Sequence, residues 1–235
     1  MKTWFKLFTV YMLLCLLTVP IYAECGEPFV LPQNEKDALA GVYFFGESTT
    51  AHLARTGGVL EGREKVLRDE SGTRYLDMRI LSSPVFYEGE KIAFSDAVER
   101  AQPRILVLSF GLNGITRWSR DSDTFLRNYR ALIDGILARS PNTQIILQSV
   151  YPVGENECFS LPVHTLNAQI AALNGHIESL SKEYENVDYI NTAVLLADAS
   201  GALSPEYDIG DGIHLTNEAY RIILRFLCQS INKAE

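Results

Sequence analysis

Apolar residues in this chain cluster in short runs, several of which end at a glycine or a proline. Sequences that are apolar almost without interruption are typical of strands buried on both faces of a sheet. The clearest runs are residues 42–45, 105–110, 144–150 and 187–190. A further short strand could lie at residues 76–81.

Between these runs, apolar residues recur every three or four positions, as they do on the buried face of a helix. This period predicts helices over residues 122–139 and 166–184. Strands that alternate with amphipathic helices indicate an α/β domain with a doubly wound parallel sheet, here over residues 38–232. Residues 56–75 read mostly as loop, and further helices are expected after Ser48, from Ser95 or Asp96 to Pro103, and after Thr216.

The N-terminus has the pattern of a secretory signal peptide. Lys2 and Lys6 precede an apolar run over residues 7–22, and the small residue Ala23 suits a cleavage site. We therefore expect residues 1–23 to be removed and the protein to be secreted or extracytoplasmic. A retained membrane anchor is less favoured, because the run is short for a full span. Residues 24–37 read as a polar lead-in to the domain.

Composition and charge exclude some classes of partner. The 235 residues are 47% hydrophobic and 21% charged, and the net charge of −8 becomes −10 without the signal peptide. So acidic a protein is a poor partner for nucleic acid or anionic lipid. Cys25, Cys158 and Cys228 would remain and allow at most one disulfide, with the pairing open. The chain has no CxxC, HExxH or acidic calcium-loop motif, so we expect no metal and no cofactor.

Two residues separate Ser48 from the first apolar run, in Gly46-Glu47-Ser48-Thr49-Thr50. A serine at the start of a helix could be a nucleophile, because free backbone N–H groups there favour an oxyanion. It could equally be a helix cap. The segment is not an α/β-hydrolase elbow, which requires glycine where Thr50 stands.

Two further clusters supply the other groups that acyl transfer needs. Asn113, in Gly111-Leu112-Asn113-Gly114, could donate its side-chain amide to a developing oxyanion, although a turn asparagine is a common alternative. Asp211 precedes His214 by three residues, a spacing that lets the carboxylate orient the imidazole. In a parallel sheet, loops at the carboxyl ends of the strands meet at one edge.

Other side chains are weaker candidates. His52 lies one helical turn beyond Ser48 and could line the pocket, although packing is the favoured role. His164 and His176 are assigned no catalytic role. Glu47, Trp118 and Tyr151 are the candidate substrate-binding residues, with ordinary packing an equal alternative for Trp118.

In their order and placement, the three clusters resemble the blocks of the SGNH hydrolases, also called GDSL esterases or lipases. Gly46-Glu47-Ser48 matches the Gly-Asp-Ser block, Gly111-Leu112-Asn113-Gly114 the Gly-x-Asn-Asp block, and Asp211-Gly212-Ile213-His214 the Asp-x-x-His block. The resemblance covers residues 42–228. It implies a three-layer α/β/α sandwich with a five-stranded, mainly parallel sheet and a flavodoxin-like layout. Glu47 and Gly114 depart from the pattern by replacing short carboxylates that could brace the loops.

The resemblance also implies a metal-free ester hydrolysis, with Ser48 as nucleophile, His214 as base and Asp211 as its partner. The oxyanion hole would comprise the Ser48 amide, Asn113 and a glycine amide, for which Gly72 is preferred over Gly57 and Gly58. The expected substrates are short-chain acyl esters, including O-acetyl groups on a glycan. An O-acyltransferase with the same triad and a non-catalytic glycan-binding protein with a degenerate site are the alternatives.

Overall fold

The computed structural model describes residues 32–55, 57–61, 65–68, 75–156 and 159–234. Residues 32–235 form one compact unit. Its first element is a helix, α1 (Gln33–Ala38), which packs against the last helix of the chain. The end of the expected lead-in is therefore part of the folded unit, whereas the predicted signal peptide lies outside the described residues.

The strands are β1 (Val42–Gly46), β2 (Val66–Leu67), β3 (Pro84–Tyr87), β4 (Glu90–Ala93), β5 (Ile105–Ser109), β6 (Gln144–Gln148) and β7 (Val187–Ile190). Five of them form a parallel sheet at the centre of the unit, in the order β2-β1-β5-β6-β7. All four pairings in this sheet are parallel. If these five strands are numbered 1 to 5 in chain order, they lie side by side in the order 2-1-3-4-5, which is that of flavodoxin-like folds. This order confirms the expected fold class.

The short strand predicted at residues 76–81 is wrong. Residues 76–81 contain no strand, and the edge of the sheet is the two-residue β2 instead. Leu76 and Ile80 are buried, but they are four residues apart, a spacing that suits a turn of helix rather than a strand, and Ile80–Ser82 forms a 3₁₀ turn. The antiparallel hairpin of β3 and β4, which follows, was not predicted.

Both faces of the sheet are covered. Phe45, Leu106 and Leu108 belong to one apolar cluster that includes residues of the two long central helices. Phe44 and Val107 point to the opposite face, because side chains alternate along a strand, and they are buried as well. After α1, the helices are α2 (Ser48–Ala51), α3 (Phe94–Ala101), α4 (Ile115–Trp118), α5 (Ser122–Leu137), α6 (Val163–Ser181) and α7 (Asn217–Ala234).

The carboxyl ends of β1 and β5 lie side by side, with Gly46 opposite Ser109. A side chain at Gly46 would collide with the Ser109 carbonyl oxygen and the Thr50 hydroxyl. Glycine therefore allows the chain to leave β1 and enter α2 directly beside β5. This arrangement brings the loops that carry Ser48 and Asn113 to one edge of the sheet.

Two further observations concern sequence predictions. Cys228 is a buried free thiol, and Cys25 and Cys158 lie outside the described residues. In the part of the chain that the structure describes, no helix combines the length and the apolar character needed to cross a membrane.

Candidate active site

Ser48, His214 and Asp211 form a continuous hydrogen-bonded chain. The His214 Nδ1 atom lies 2.6 Å from Asp211 Oδ2, and its Nε2 atom lies 3.0 Å from Ser48 Oγ. A carboxylate can only accept, so the imidazole carries its proton on Nδ1 and leaves the Nε2 lone pair for the serine hydroxyl. The geometry therefore suits removal of a proton from Ser48.

Hydrogen bonds keep Asp211 charged. Burial alone would raise the pKa of this carboxyl, but the hydrogen bonds from the backbone and imidazole of His214 and from the amide of Ile213 outweigh it. The two amides lie 2.7 and 2.9 Å from Asp211 Oδ1. The pKa of Asp211 is consequently lower than that of an ordinary aspartate, and its negative charge can stabilise an imidazolium at His214.

Asp208 organises the loop that carries this pair. Its Oδ1 atom accepts the backbone N–H groups of Gly210, Asp211 and Gly212 at 2.8, 3.1 and 3.0 Å. The side-chain amide of Asn156 donates to the Asp211 carbonyl oxygen. These bonds fix the backbone on which the imidazole and its carboxylate partner are mounted.

The buried carboxylate of Glu47 joins the serine segment to the Asn113 loop. Its two oxygens accept the backbone N–H groups of Gly111 and Asn113 at 3.0 and 2.9 Å. Burial raises the pKa of Glu47 to about 7, and the amide hydrogen bonds oppose a larger rise. Glu47 is 2% exposed and serves as a brace, which contradicts its assignment to substrate binding.

The main chain of Asn113 is held from both sides. Its N–H donates to Glu47, and its carbonyl oxygen accepts the indole N–H of Trp118 at 2.8 Å. The structure therefore places Asn113 in a fixed loop beside the residue that precedes Ser48. Gly72 lies outside the described residues, and its place in the oxyanion hole stays a prediction.

Comparison with protein families agrees with this geometry. Residues 44–222 match the model of the GDSL-like Lipase/Acylhydrolase family. The chain belongs to this family. Its members are ester hydrolases of the SGNH type, as the sequence motifs predicted. Comparison with curated protein sequences yields no match.

Solved structures share the fold of this GDSL-family chain. A GDSL-like lipase from Bacteroides thetaiotaomicron is 22% identical, with a TM-score of 0.60 over 83% of this chain and 88% of the other. An acetyl xylan esterase is 19% identical, with a TM-score of 0.53 over 82% and 98%. A carbohydrate esterase family 3 protein from Talaromyces cellulolyticus is 14% identical, with a TM-score of 0.51 over 82% and 98%. At these identities the likeness concerns the fold alone.

Two aromatic residues expected to bind substrate are buried instead. Trp118 is 1% exposed and packs against Phe125, and the Arg117 guanidinium carbon lies over the Trp118 ring, 4.7 Å from its centroid. Tyr151 is 5% exposed, and its hydroxyl accepts a hydrogen bond from Gln148 at 2.6 Å. Trp118 also holds the Asn113 loop through its indole N–H, and neither buried side chain presents a surface to a substrate.

Several supporting side chains escaped the sequence analysis. In α6, Asn167 hydrogen bonds both the N–H and the carbonyl oxygen of Val153, and Asn174 does the same for Val150. These two amides, seven residues apart, clamp the loop after β6 to the helix. An asparagine pair at that spacing on a helical face is the signal that could have found them.

The Tyr220 hydroxyl in α7 donates to the Thr49 carbonyl oxygen at 2.6 Å and so fixes the helix that begins with Ser48.

A groove of about 910 Å³ lies elsewhere, between β7 and the C-terminal half of α7, and no residue of the hydrogen-bonded triad lines it. Within the described residues, no group of three or more His, Cys, Asp or Glu side chains is arranged to hold a metal ion.

Proposed function

We propose that this GDSL-family protein is an exported serine esterase that removes short-chain acyl groups, including O-acetyl groups on glycans. The observation that carries the proposal is the unbroken hydrogen-bonded chain from Ser48 through His214 to Asp211. These groups come from opposite ends of the domain sequence and meet at one edge of the sheet. Such a convergence is what nucleophilic acyl transfer requires.

In the first half of the proposed reaction, Ser48 Oγ attacks the ester carbonyl carbon while its proton passes to His214 Nε2. Asp211 stabilises the imidazolium, because its lowered pKa keeps it ionised. The C–O bond to the alcohol then breaks, and His214 returns the proton to the leaving oxygen. The product is an acyl ester of Ser48 and a free alcohol.

The negative charge on the carbonyl oxygen needs hydrogen-bond donors. We assign this role to the amides of Ser48 and Gly72 and to the Asn113 side chain. Ser48 is the first residue of α2, and the N-terminus of a helix favours an anion. In the second half of the reaction, His214 takes a proton from water, which attacks the acyl carbon. The bond between the acyl carbon and Ser48 Oγ then breaks, His214 returns the proton to Ser48 Oγ, and the acid is released.

Three observations support the proposed substrate class. Two proteins of the same fold are named acetyl xylan esterase and carbohydrate esterase. The signal-like N-terminus favours substrates outside the cytoplasm, and the acidic composition disfavours anionic lipid. An acylated neutral glycan satisfies all three observations.

The proposal is tested with the purified protein, p-nitrophenyl acetate and an acetylated xylan. Ser48→Ala should abolish turnover and fluorophosphonate labelling, whereas the exposed His176→Ala should leave both unchanged. Hydrolysis that survives Ser48→Ala would refute the mechanism. Accumulation of acylated sugar when an acceptor is supplied would identify an O-acyltransferase. A wild-type protein that resists labelling but binds glycan would be a non-catalytic binding protein.

A further inference from the structure

A second imidazole lies flat against that of His214. His52 begins the 3₁₀ turn that follows α2, and the centroids of the two rings are 4.4 Å apart with 28° between their planes. Ser48 and His52 are four residues apart, so they occupy one face of the same helical segment. The segment that carries the nucleophile therefore also supplies a planar surface for the base.

Arg55 determines which protonation form His52 takes. The Arg55 Nη1 atom lies 3.2 Å from His52 Nδ1, and a guanidinium can only donate. Nδ1 must therefore accept, so His52 is neutral and carries its proton on Nε2. Burial lowers the pKa of His52 to about 4, helped by the positive charges of protonated His214 and Arg55 and opposed by Asp211. His52 itself consequently adds no positive charge beside the imidazolium that forms on His214.

The stacked ring supplies a restraint that the other contacts of His214 do not. The hydrogen bond to Asp211 fixes one nitrogen, but the imidazole can still tilt about it, and such a tilt moves Nε2 away from Ser48 Oγ. The His214 side chain is 23% exposed, so the surrounding protein does not enclose the imidazole completely. His52 covers one face of the imidazole and blocks tilting in that direction.

We propose that His52 is a positioning residue, whose ring holds the plane of His214 so that Nε2 stays directed at Ser48 Oγ. This inference rests on the proposed esterase function and adds a fourth side chain to its machinery. His52 makes no bond to the reacting atoms in this role. It acts only through the orientation of the base.

The test compares His52→Ala, which removes the ring, with His52→Phe, which keeps an aromatic ring of similar shape. His52→Ala should lower kcat by about ten- to a hundredfold with KM within about twofold, because misplacing a catalytic group slows chemistry more than binding. His52→Phe should recover most of the lost kcat. The matched control is His176→Ala, at an exposed histidine of α6.

A spectroscopic measurement tests the inference independently of turnover. The proton between His214 Nδ1 and Asp211 should give a sharp, strongly deshielded NMR signal in the wild-type protein and in His52→Phe. The signal should broaden in His52→Ala. If His52→Ala does not fold, His52→Leu, which fills the space without a planar ring, takes its place in both measurements.

The possible outcomes separate the two proposals. A wild-type protein without esterase activity or fluorophosphonate labelling would refute the proposed function, while the NMR comparison would still test the role of His52. Wild-type kcat together with a sharp proton signal in His52→Ala would overturn the inference. Equal impairment of His52→Phe and His52→Ala would also overturn it, because the ring surface would then not be the property that matters.

Discussion

Replacing Glu47 by Gln should destabilise the protein more in mild acid than at alkaline pH. The buried carboxyl of Glu47 has a pKa of about 7, against an ordinary value of 4.5. A raised pKa in the folded state means that folding favours the protonated form. The stabilisation is therefore complete below about pH 4.5 and is lost as the pH rises through about 7. Glutamine does not titrate, so its stability lacks this component.

The size of the effect follows from the shift in pKa. A shift of this size corresponds to about 3 kcal/mol, of which about 2.5 kcal/mol falls between pH 5 and pH 8. Glutamine also turns an N–H₂ group towards the amide of Gly111 or Asn113, where an acceptor is needed. Leaving such a buried donor unpaired costs about 1–3 kcal/mol at either pH.

Urea denaturation of both proteins near pH 5 and pH 8 measures the difference directly. Contributions from all other titrating groups cancel, because each pair is compared at one pH. We expect the cost of Glu47→Gln to shrink by about 2.5 kcal/mol between the two conditions. Glu47→Asp retains a titrating carboxyl and should keep part of the pH dependence. A cost that is the same at both pH values, or larger at pH 8, would refute the reasoning.

Two further predictions concern the loops. Asp208→Ala should lower kcat by about tenfold or more, because three amides of the Asp211 loop lose their acceptor. Asp208→Asn keeps one oxygen and should retain most of the activity. Equal kcat values for the two variants in steady-state kinetics would contradict this prediction. Gly114→Ala should lower the free energy of unfolding by about 1–2 kcal/mol, since φ is +81° and a Cβ would lie 3.3 Å from Tyr75 and Trp118. The matched helical variant Gly175→Ala, where an added Cβ meets nothing within 4 Å, should instead stabilise by about 0.5–1 kcal/mol in the same thermal melts.

The parts of the fold that could be predicted are those in which burial alone dictates the sequence. β1, β5, β6 and β7 are apolar because helices cover both faces of the sheet. β2 could not be recognised, since two residues carry no periodicity and their pairing with β1 is a tertiary event. Leu76 and Ile80 were mistaken for a strand because apolar residues in a short run do not distinguish a strand from a turn of helix.

The site divides in the same way. The meeting of Ser48, Asp211 and His214 could be predicted because their spacing and neighbours suit the chemistry proposed for each. The function of Glu47 as a brace depends on where Gly111 and Asn113 lie in the fold, 64 and 66 residues further along the chain. Sequence distance conceals such partners, and it also conceals which aromatic side chains are buried.

Asp211 and His214 lie in one loop, whereas Ser48 lies in another part of the sheet edge. A displacement of the loop organised by Asp208 would therefore move the imidazole and its carboxylate partner together, and within the triad it would break the 3.0 Å contact with the serine. Mild warming should then abolish turnover while the hydrogen bond between Asp211 and His214 persists. Cooling should restore full turnover as soon as the loop returns to its position. Inactivation would occur at a lower temperature than unfolding of the sheet and would be fully reversible.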